Sequence, residues 1–175
     1  MTRRVSEPRI ELLTESHDRD GFSCEKEQLT KFLRERALRD MRSKTSATRV
    51  LLLESKVEIV GYYTLTAASV SFDKVPDAIR KRIKLTKYPT TSATLLARLA
   101  RDIRWRGRGI GELLVIDALR RAYNQTAHIG AALILVDAID DEAAEFYQAF
   151  GFTAFPEKRL ELFMPMAMVE TLVNK

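Results

Sequence analysis

Arg104-Trp105-Arg106-Gly107-Arg108-Gly109-Ile110-Gly111-Glu112 is the stretch that decides how this 175-residue chain is read. It follows an apolar, strand-like run from Thr94 to Ile103 and opens into the helical pattern of Glu112 to Tyr123. Three glycines at alternate positions strip side chains from a strand-to-helix turn and leave backbone N–H groups bare, with Arg106 and Arg108 beside them. At the positive end of a helix, such a turn suits a phosphate or pyrophosphate. Two common phosphate loops are excluded. A P-loop needs Lys-Ser/Thr after its last glycine, and here Glu112-Leu113 follow Gly111. A dinucleotide fingerprint needs a small residue at the sixth position from Gly107, where Glu112 stands. What remains is Arg106-x-x-Gly109-x-Gly111 between a strand and a helix.

Outward from the turn, local patterns predict the other elements. Arg9 to Leu13 reads as a short strand. Cys24 to Arg42 reads as a helix, because Leu29, Phe32, Leu33, Ala37 and Met41 recur at three- and four-residue spacing, with Ser23 as its N-cap. Val50–Leu53 and Ile59–Val70 read as an antiparallel hairpin around Glu54-Ser55-Lys56, and Pro76 to Ile83 as a short helix starting with proline. The next strand covers Thr91 to Ile103, and the helix after the turn runs to about Gln125. Ala131 to Ala138 is almost purely apolar, as in a central strand buried on both faces. Asp141 to Phe150 is predicted helical and ended by Gly151, followed by strands at Thr153–Phe155 and Leu160–Met164 and a last helix from Met166 to Val173. The mixture gives an α/β (α+β) chain built on a single sheet.

Size and composition predict one domain, 1–175, with a core that needs no staples. No apolar run approaches a membrane span, no signal core follows the basic Met1–Ser6, and the single cysteine, Cys24, fits a reducing cytoplasm. Cys24, His17 and His128 lie far apart, so no metal site is expected. The net charge of +5 points to an anionic partner. Basic residues gather in the first helix and its exit (Lys26 to Arg49, Arg34 among them) and in Arg80, Lys81, Arg82, Lys84 and Lys87. By itself each cluster reads as a solvated helix face.

A second segment bears on the glycine turn. Asp140-Asp141-Glu142-Ala143-Ala144-Glu145-Phe146-Tyr147-Gln148-Ala149-Phe150-Gly151-Phe152 follows the apolar strand, a short helix carrying Phe-Tyr, three residues, then Gly-Phe. With Arg106-x-x-Gly109-x-Gly111, it resembles the paired motifs of the GNAT acetyltransferase superfamily. Phe22-Ser23-Cys24, Gly61-Tyr62-Tyr63-Thr64-Leu65-Thr66-Ala67, Tyr88-Pro89, Leu96-Ala97-Arg98-Leu99-Ala100-Arg101-Asp102 and Leu162-Phe163-Met164-Pro165-Met166 extend the likeness. From about Phe22 to Pro165 the chain is similar to the GNAT toxins of bacterial type II toxin–antitoxin modules. It departs from them at Glu25, where glycine is common, at Arg101, where a small aliphatic is common, and at Asp140, where the superfamily often has Asn.

The resemblance implies a mixed, mostly antiparallel twisted sheet flanked by helices, its central parallel strands splayed, and acetyl-CoA as co-substrate without a metal. It implies that backbone groups of Leu99, Ala100 and Arg101, with Arg106, Gly107, Arg108, Gly109, Ile110, Gly111 and Glu112, hold the cofactor. One of the strand N–H groups would polarise the thioester carbonyl. Tyr147 takes the place of the tyrosine that protonates the leaving thiolate, since a phenol of pKa about 10 is protonated at neutral pH. The acceptor implied is the α-amino group of aminoacyl-tRNA, whose acetylation blocks translation. The alternative is a small amine, a peptide or a protein amino terminus. A free α-amino group has a pKa of about 7.7–8.0, and esterification lowers it, so no strong enzymic base is required. Arg80, Lys81, Arg82, Lys84, Lys87 and Arg34 are then candidates for the approach of the tRNA acceptor arm. The implied partner is a ribbon-helix-helix antitoxin, with DNA bound only through it. Homodimerisation is common among such toxins, and nothing in the sequence fixes it.

Overall fold

The computed structural model describes residues 7–53 and 57–174. In chain order they form β1 (Arg9–Leu12), α1 (Glu27–Lys31), a π turn (Phe32–Arg36), α2 (Ala37–Arg42), β2 (Ala47–Leu52), β3 (Gly61–Ser71), α3 (Asp77–Arg82), β4 (Thr90–Arg101), α4 (Ile110–Gln125), β5 (Leu133–Asp137), α5 (Asp141–Gln148), β6 (Thr153–Phe155), β7 (Lys158–Pro165) and α6 (Met166–Val173). The strands make one mixed seven-stranded sheet in the order β1-β2-β3-β4-β5-β7-β6. β1–β2, β2–β3, β5–β7 and β6–β7 pair antiparallel. β4 and β5 pair parallel, Ala93 to Leu96 opposite Leu133 to Val136, while β4 itself continues to Arg101. The predicted α/β class, the mixed sheet and the buried central strand at Leu133–Asp137 are all present. Among the described residues, no helix is long and apolar enough to cross a membrane.

The chain divides into two compact units, the first comprising residues up to 65 and 98–117, the second 66–97 and 118 onward. The core of the first gathers Leu13, Phe22, Phe32, Leu33, Ala37, Val50, Leu52, Ile59, Tyr62 and Ala100. Burying each large side chain there contributes about 1.5–3 kcal/mol. Tyr62, fully buried, stacks on Phe32 and meets Phe22 edge-on, and its hydroxyl donates to the Leu29 carbonyl at 2.6 Å. The core of the second unit joins Val75, Ala93, Leu133, Leu135, Phe155 and Phe163.

Several boundaries differ from expectation for local reasons. The first helix starts at Glu27, and Ser23 does not cap it. The Ser23 N–H instead donates to Asp102, and the Cys24 N–H to the Thr30 hydroxyl, so the segment before the helix is already tied down. The π turn then breaks the α-helical repeat. Its extra residue shifts the phase, and Phe32, Leu33, Ala37 and Leu38 are all buried. Pro76 precedes α3 in an extended conformation rather than opening it, and α4 begins at Ile110, two residues earlier than predicted. The expected turn at Glu54-Ser55-Lys56 lies outside the described residues.

Two features of the first unit hold α4 and the segment before it in place. Gly61 of β3 is buried, and a Cβ built on it would stand 2.9 Å from Ile110 Cγ2 and Leu114 Cδ1 and 3.2 Å from the Ala100 carbonyl oxygen. The missing side chain therefore lets the first turns of α4 lie directly on β3. The second feature is Asp102, 0% exposed at the end of β4. Its carboxylate accepts from the Ser23 N–H (3.2 Å), the Arg104 N–H (2.9 Å) and the Arg104 guanidinium (2.8 and 3.0 Å). These bonds end the strand predicted to reach Ile103 and turn Ile103–Trp105 into a short 3-10 helix. Burial alone would raise the Asp102 pKa, but its bonds to Arg104 and Ser23 outweigh that and hold it below the usual carboxylate value.

Gly61→Val should cost about 1–3 kcal/mol by overpacking, read as a lowered thermal midpoint. A midpoint equal to wild type would show that the Cβ is accommodated. For Asp102 the folded pKa lies below the unfolded value of about 3.9. Its contribution is therefore complete above that value and is lost as pH falls through the folded pKa. Asp102→Asn should cost about 1–3 kcal/mol at neutral pH and flatten the acid limb of stability, measured by urea unfolding from about pH 6 to pH 2. An acid limb as steep as wild type would contradict this.

Candidate active site

In the first unit the glycine turn is built by the chain leaving β4 through Asp102. After the 3-10 helix, Arg106 is extended, and Gly107 and Gly109 both take φ of +73°, the left-handed region that favours glycine. No atom lies within 4 Å of a Cβ built on Gly107, and the nearest to one on Gly109 is Glu112 Oε2 at 3.8 Å. The face of the turn is therefore open, and residues 106–109 are exposed. Gly111 is helical, the second residue of α4. The Leu113 N–H donates to the Gly109 carbonyl, so the N–H groups of Ile110, Gly111 and Glu112 precede the helical ladder. Arg106 and Arg108 add charge, the Arg108 guanidinium lying 4.9 Å from the Trp105 ring centre. Bare amides, a helix dipole and two arginines fit an anionic group such as a pyrophosphate, against the single carboxylate of Glu112.

The three β4 residues expected beside the cofactor are here too. Ala100 is 7% exposed within the core of this unit, and Leu99 and Arg101 are partly buried. The Arg101 side chain turns to Glu25, with Nη1–Oε1 at 3.0 Å. Two of the three positions at which the sequence departs from the family pattern are thus one ion pair. Burial opposes ionisation of Glu25, but a bond to its own backbone N–H and the charges of Arg101 and Arg106 hold its pKa below the usual range.

The second unit holds Tyr147 on α5. Asp140 caps that helix, its Oδ1 accepting from the Ala143 N–H at 2.9 Å, so aspartate here does the work of a capping residue. Tyr147 is 6% exposed and meets Phe146 and Phe152 edge to face. Burial is the one cause that moves its phenol, and pushes it well above the ordinary value of 10.0. A group so shifted is fully protonated at neutral pH and is a donor, not a base.

The histidines are occupied or peripheral. The Thr14 N–H donates to His17 Nδ1 at 2.9 Å, and His17 Nε2 lies 2.7 Å from Glu11, while His128 is exposed. Cys24 is partly buried, its thiol donating to the Lys26 carbonyl. The basic candidates divide. In the first unit, Arg34 is bound to the Phe22 carbonyl through Nε and Nη2. In the second, Arg80 lies 4.6 Å above Phe72 and pairs with Asp73 and Asp77, and Lys81 pairs with Asp77 at 3.0 Å. Arg82, Lys84 and Lys87 are exposed. The pairing of buried Asp102 with Arg104, which is itself exposed, escaped the sequence reading. Its signal was an Asp-x-Arg step closing an apolar strand.

Residues 46–154 match the acetyltransferase (GNAT) domain family. A tRNA-acetylating toxin of Mycobacterium tuberculosis is 32% identical over 162 residues, which are 93% of this chain and 94% of that protein. Among solved structures, AtaT complexed with acetyl-methionyl-tRNAfMet is similar at a TM-score of 0.86 and 28% identity, over 95% of this chain and 99% of that one. A tyrosine-to-phenylalanine variant of AtaT, bound to the C-terminus of the antitoxin AtaR and to acetyl-CoA, is similar at 0.80 and 26%, over 96% and 99%. The family match takes in the open glycine turn and the buried tyrosine together, and this chain belongs to the acetyltransferase (GNAT) domain family.

Proposed function

We propose that this chain transfers the acetyl group of acetyl-CoA to the α-amino group of aminoacyl-tRNA and so blocks translation, residues 1–175 acting as one catalytic domain. The observation that carries this reading is the likeness, along nearly the whole of both chains, to AtaT with an acetylated methionyl-tRNA. Acetyl-CoA supplies an activated thioester. The chain supplies the grip and the proton.

The amides of residues 106–112, with Arg106 and Arg108, bind the pyrophosphate. The open Cβ directions at Gly107 and Gly109 leave room for close backbone approach. Backbone groups of Leu99, Ala100 and Arg101 align the remainder of the cofactor, a role that the Arg101 side chain leaves undisturbed by turning to Glu25. Tyr147 gives its proton to the departing thiolate. Burial keeps the phenol protonated at neutral pH, so the proton is in place when the carbon–sulfur bond breaks. The acceptor amine needs no strong base, because an esterified α-amino group has a pKa below about 7.7–8.0 and is substantially neutral. His17, held on both ring nitrogens, is not free to serve as one.

Arg82, Lys84 and Lys87 are the basic residues of the second unit best placed to meet RNA phosphates, since Arg80 and Lys81 already face aspartates. An antitoxin is the partner this reading assigns, as supported by the AtaT–AtaR complex; its type on this reading is ribbon-helix-helix, with DNA bound through it.

Incubated with labelled acetyl-CoA and total charged tRNA, the protein should place label on the RNA fraction as an ester-linked N-acetyl amino acid. Label confined to free amines or peptides would overturn the assignment. Tyr147→Phe should fold and bind acetyl-CoA while transfer falls about 10²–10⁴-fold, and turnover near wild type would remove Tyr147 from the mechanism. Reversing Arg82, Lys84 and Lys87 together to glutamate should raise the KM for charged tRNA about tenfold or more, less so at high salt, with acetyl-CoA binding unchanged. An unaltered KM would return these residues to plain solvated surface.

A further inference from the structure

Two arginines near the end of β4 are paired. Arg101 meets Glu25 and Arg104 meets Asp102. Arg98 is partly buried, and among the described residues it makes neither a hydrogen bond nor an ion pair. Its guanidinium carbon lies 3.7 Å from the centre of the Phe32 ring, the first residue of the π turn, and Phe32 rests in turn on Tyr62. A cation over an aromatic face gains about 0.5–2 kcal/mol, but the contact uses the flat of the guanidinium and leaves its five N–H donors at the rim unspent.

The charge around it is unbalanced. Arg36 approaches the same ring at 5.8 Å, and the nearby carboxylate, Asp40, is shared by Arg36 (3.6 Å) and Arg39 (3.8 Å). Burial, and then the charge of Arg36, disfavour the ionised form of Arg98, while Tyr62 and Asp40 favour it. A partly buried guanidinium with an open donor edge, beside a second one, suits an incoming anion. A neutral carbonyl would fill donors without offsetting charge, and the α-ammonium of an acceptor would be repelled.

We infer that Arg98, braced on Phe32 of the π turn, receives a phosphate of the acceptor's single-stranded 3′ end. The inference rests on the aminoacyl-tRNA reading and deepens it by naming a contact that positions the acceptor. The alternative source of phosphate, acetyl-CoA, has a separate grip in the glycine turn and its two arginines.

The test is binding of a short single-stranded RNA with the tRNA 3′ sequence, followed by fluorescence anisotropy over a range of KCl concentrations, beside acetyl-CoA binding by calorimetry. Arg98→Met keeps an apolar stem on Phe32 and removes the charge. It should weaken RNA binding about tenfold or more and lower the slope of log K against log salt by about 0.7, with acetyl-CoA affinity unchanged. Arg98→Lys keeps the charge and loses the planar fork, so affinity should fall while the slope holds. That variant carries the test if Arg98→Met fails to fold. RNA affinity and slope equal to wild type would reduce Arg98 to packing, and a loss of acetyl-CoA binding instead would assign the phosphate to the cofactor; either result overturns the inference. Wild-type protein that binds the RNA yet acetylates no charged tRNA would sink the enzymatic reading and leave the contact standing. Wild-type protein that binds no RNA would overturn both.

Discussion

A carboxylate removed from water governs the first unit. Asp102 is 0% exposed, and the groups that compensate it come from two distant stretches, Ser23 ahead of the first helix and Arg104 two residues further on. An isolated buried carboxylate would be prohibitively costly. The end of β4, the segment before α1 and the entry to the glycine turn are therefore held as one bonded set. Gly61 completes the arrangement from the other direction, by giving the first turns of α4 a surface without a side chain to rest on. The open amides of the turn are the product of these two constraints. The glycines allow the conformation, and the bonds of buried Asp102 fix the strand end from which it departs.

The second unit handles a different problem, the keeping of a proton. Tyr147 sits among phenyl rings at the end of a capped helix, where dehydration makes the phenolate costly. The first unit is polar and open where it offers amides, and the second is dry where it holds its acid. Anion binding needs donors that face outward, and a weak acid that must not ionise early needs the reverse.

Much of this was legible in local pattern. The apolar run at Leu133–Val136, the left-handed residues of the glycine turn and the Phe146-Tyr147 helix all depend on neighbours within a few residues, and the fold class follows from their order. What stayed hidden depends on partners far away in sequence. Ser23 looks like a helix cap, yet its N–H is spent on a carboxylate 79 residues later. The π turn has no simple local signature, because it follows from how Phe32 and Leu33 are both buried. Arg98 is one letter of a family motif, and its seat on the Phe32 ring is visible only once its surroundings are known.

The Glu25–Arg101 pair carries a consequence for exchange with relatives. Residue 25 stands ahead of the first helix and residue 101 closes β4, so a segment swap cut anywhere between them would transplant one charge without its counterpart. With glycine opposite it, Arg101 would add an unbalanced cation at the strand end that meets the turn. With an aliphatic residue opposite it, Glu25 would keep only Arg106 among the cations acting on it, and would draw that arginine from the turn's own anion. The two positions are therefore best exchanged together in any chimera between this protein and its relatives.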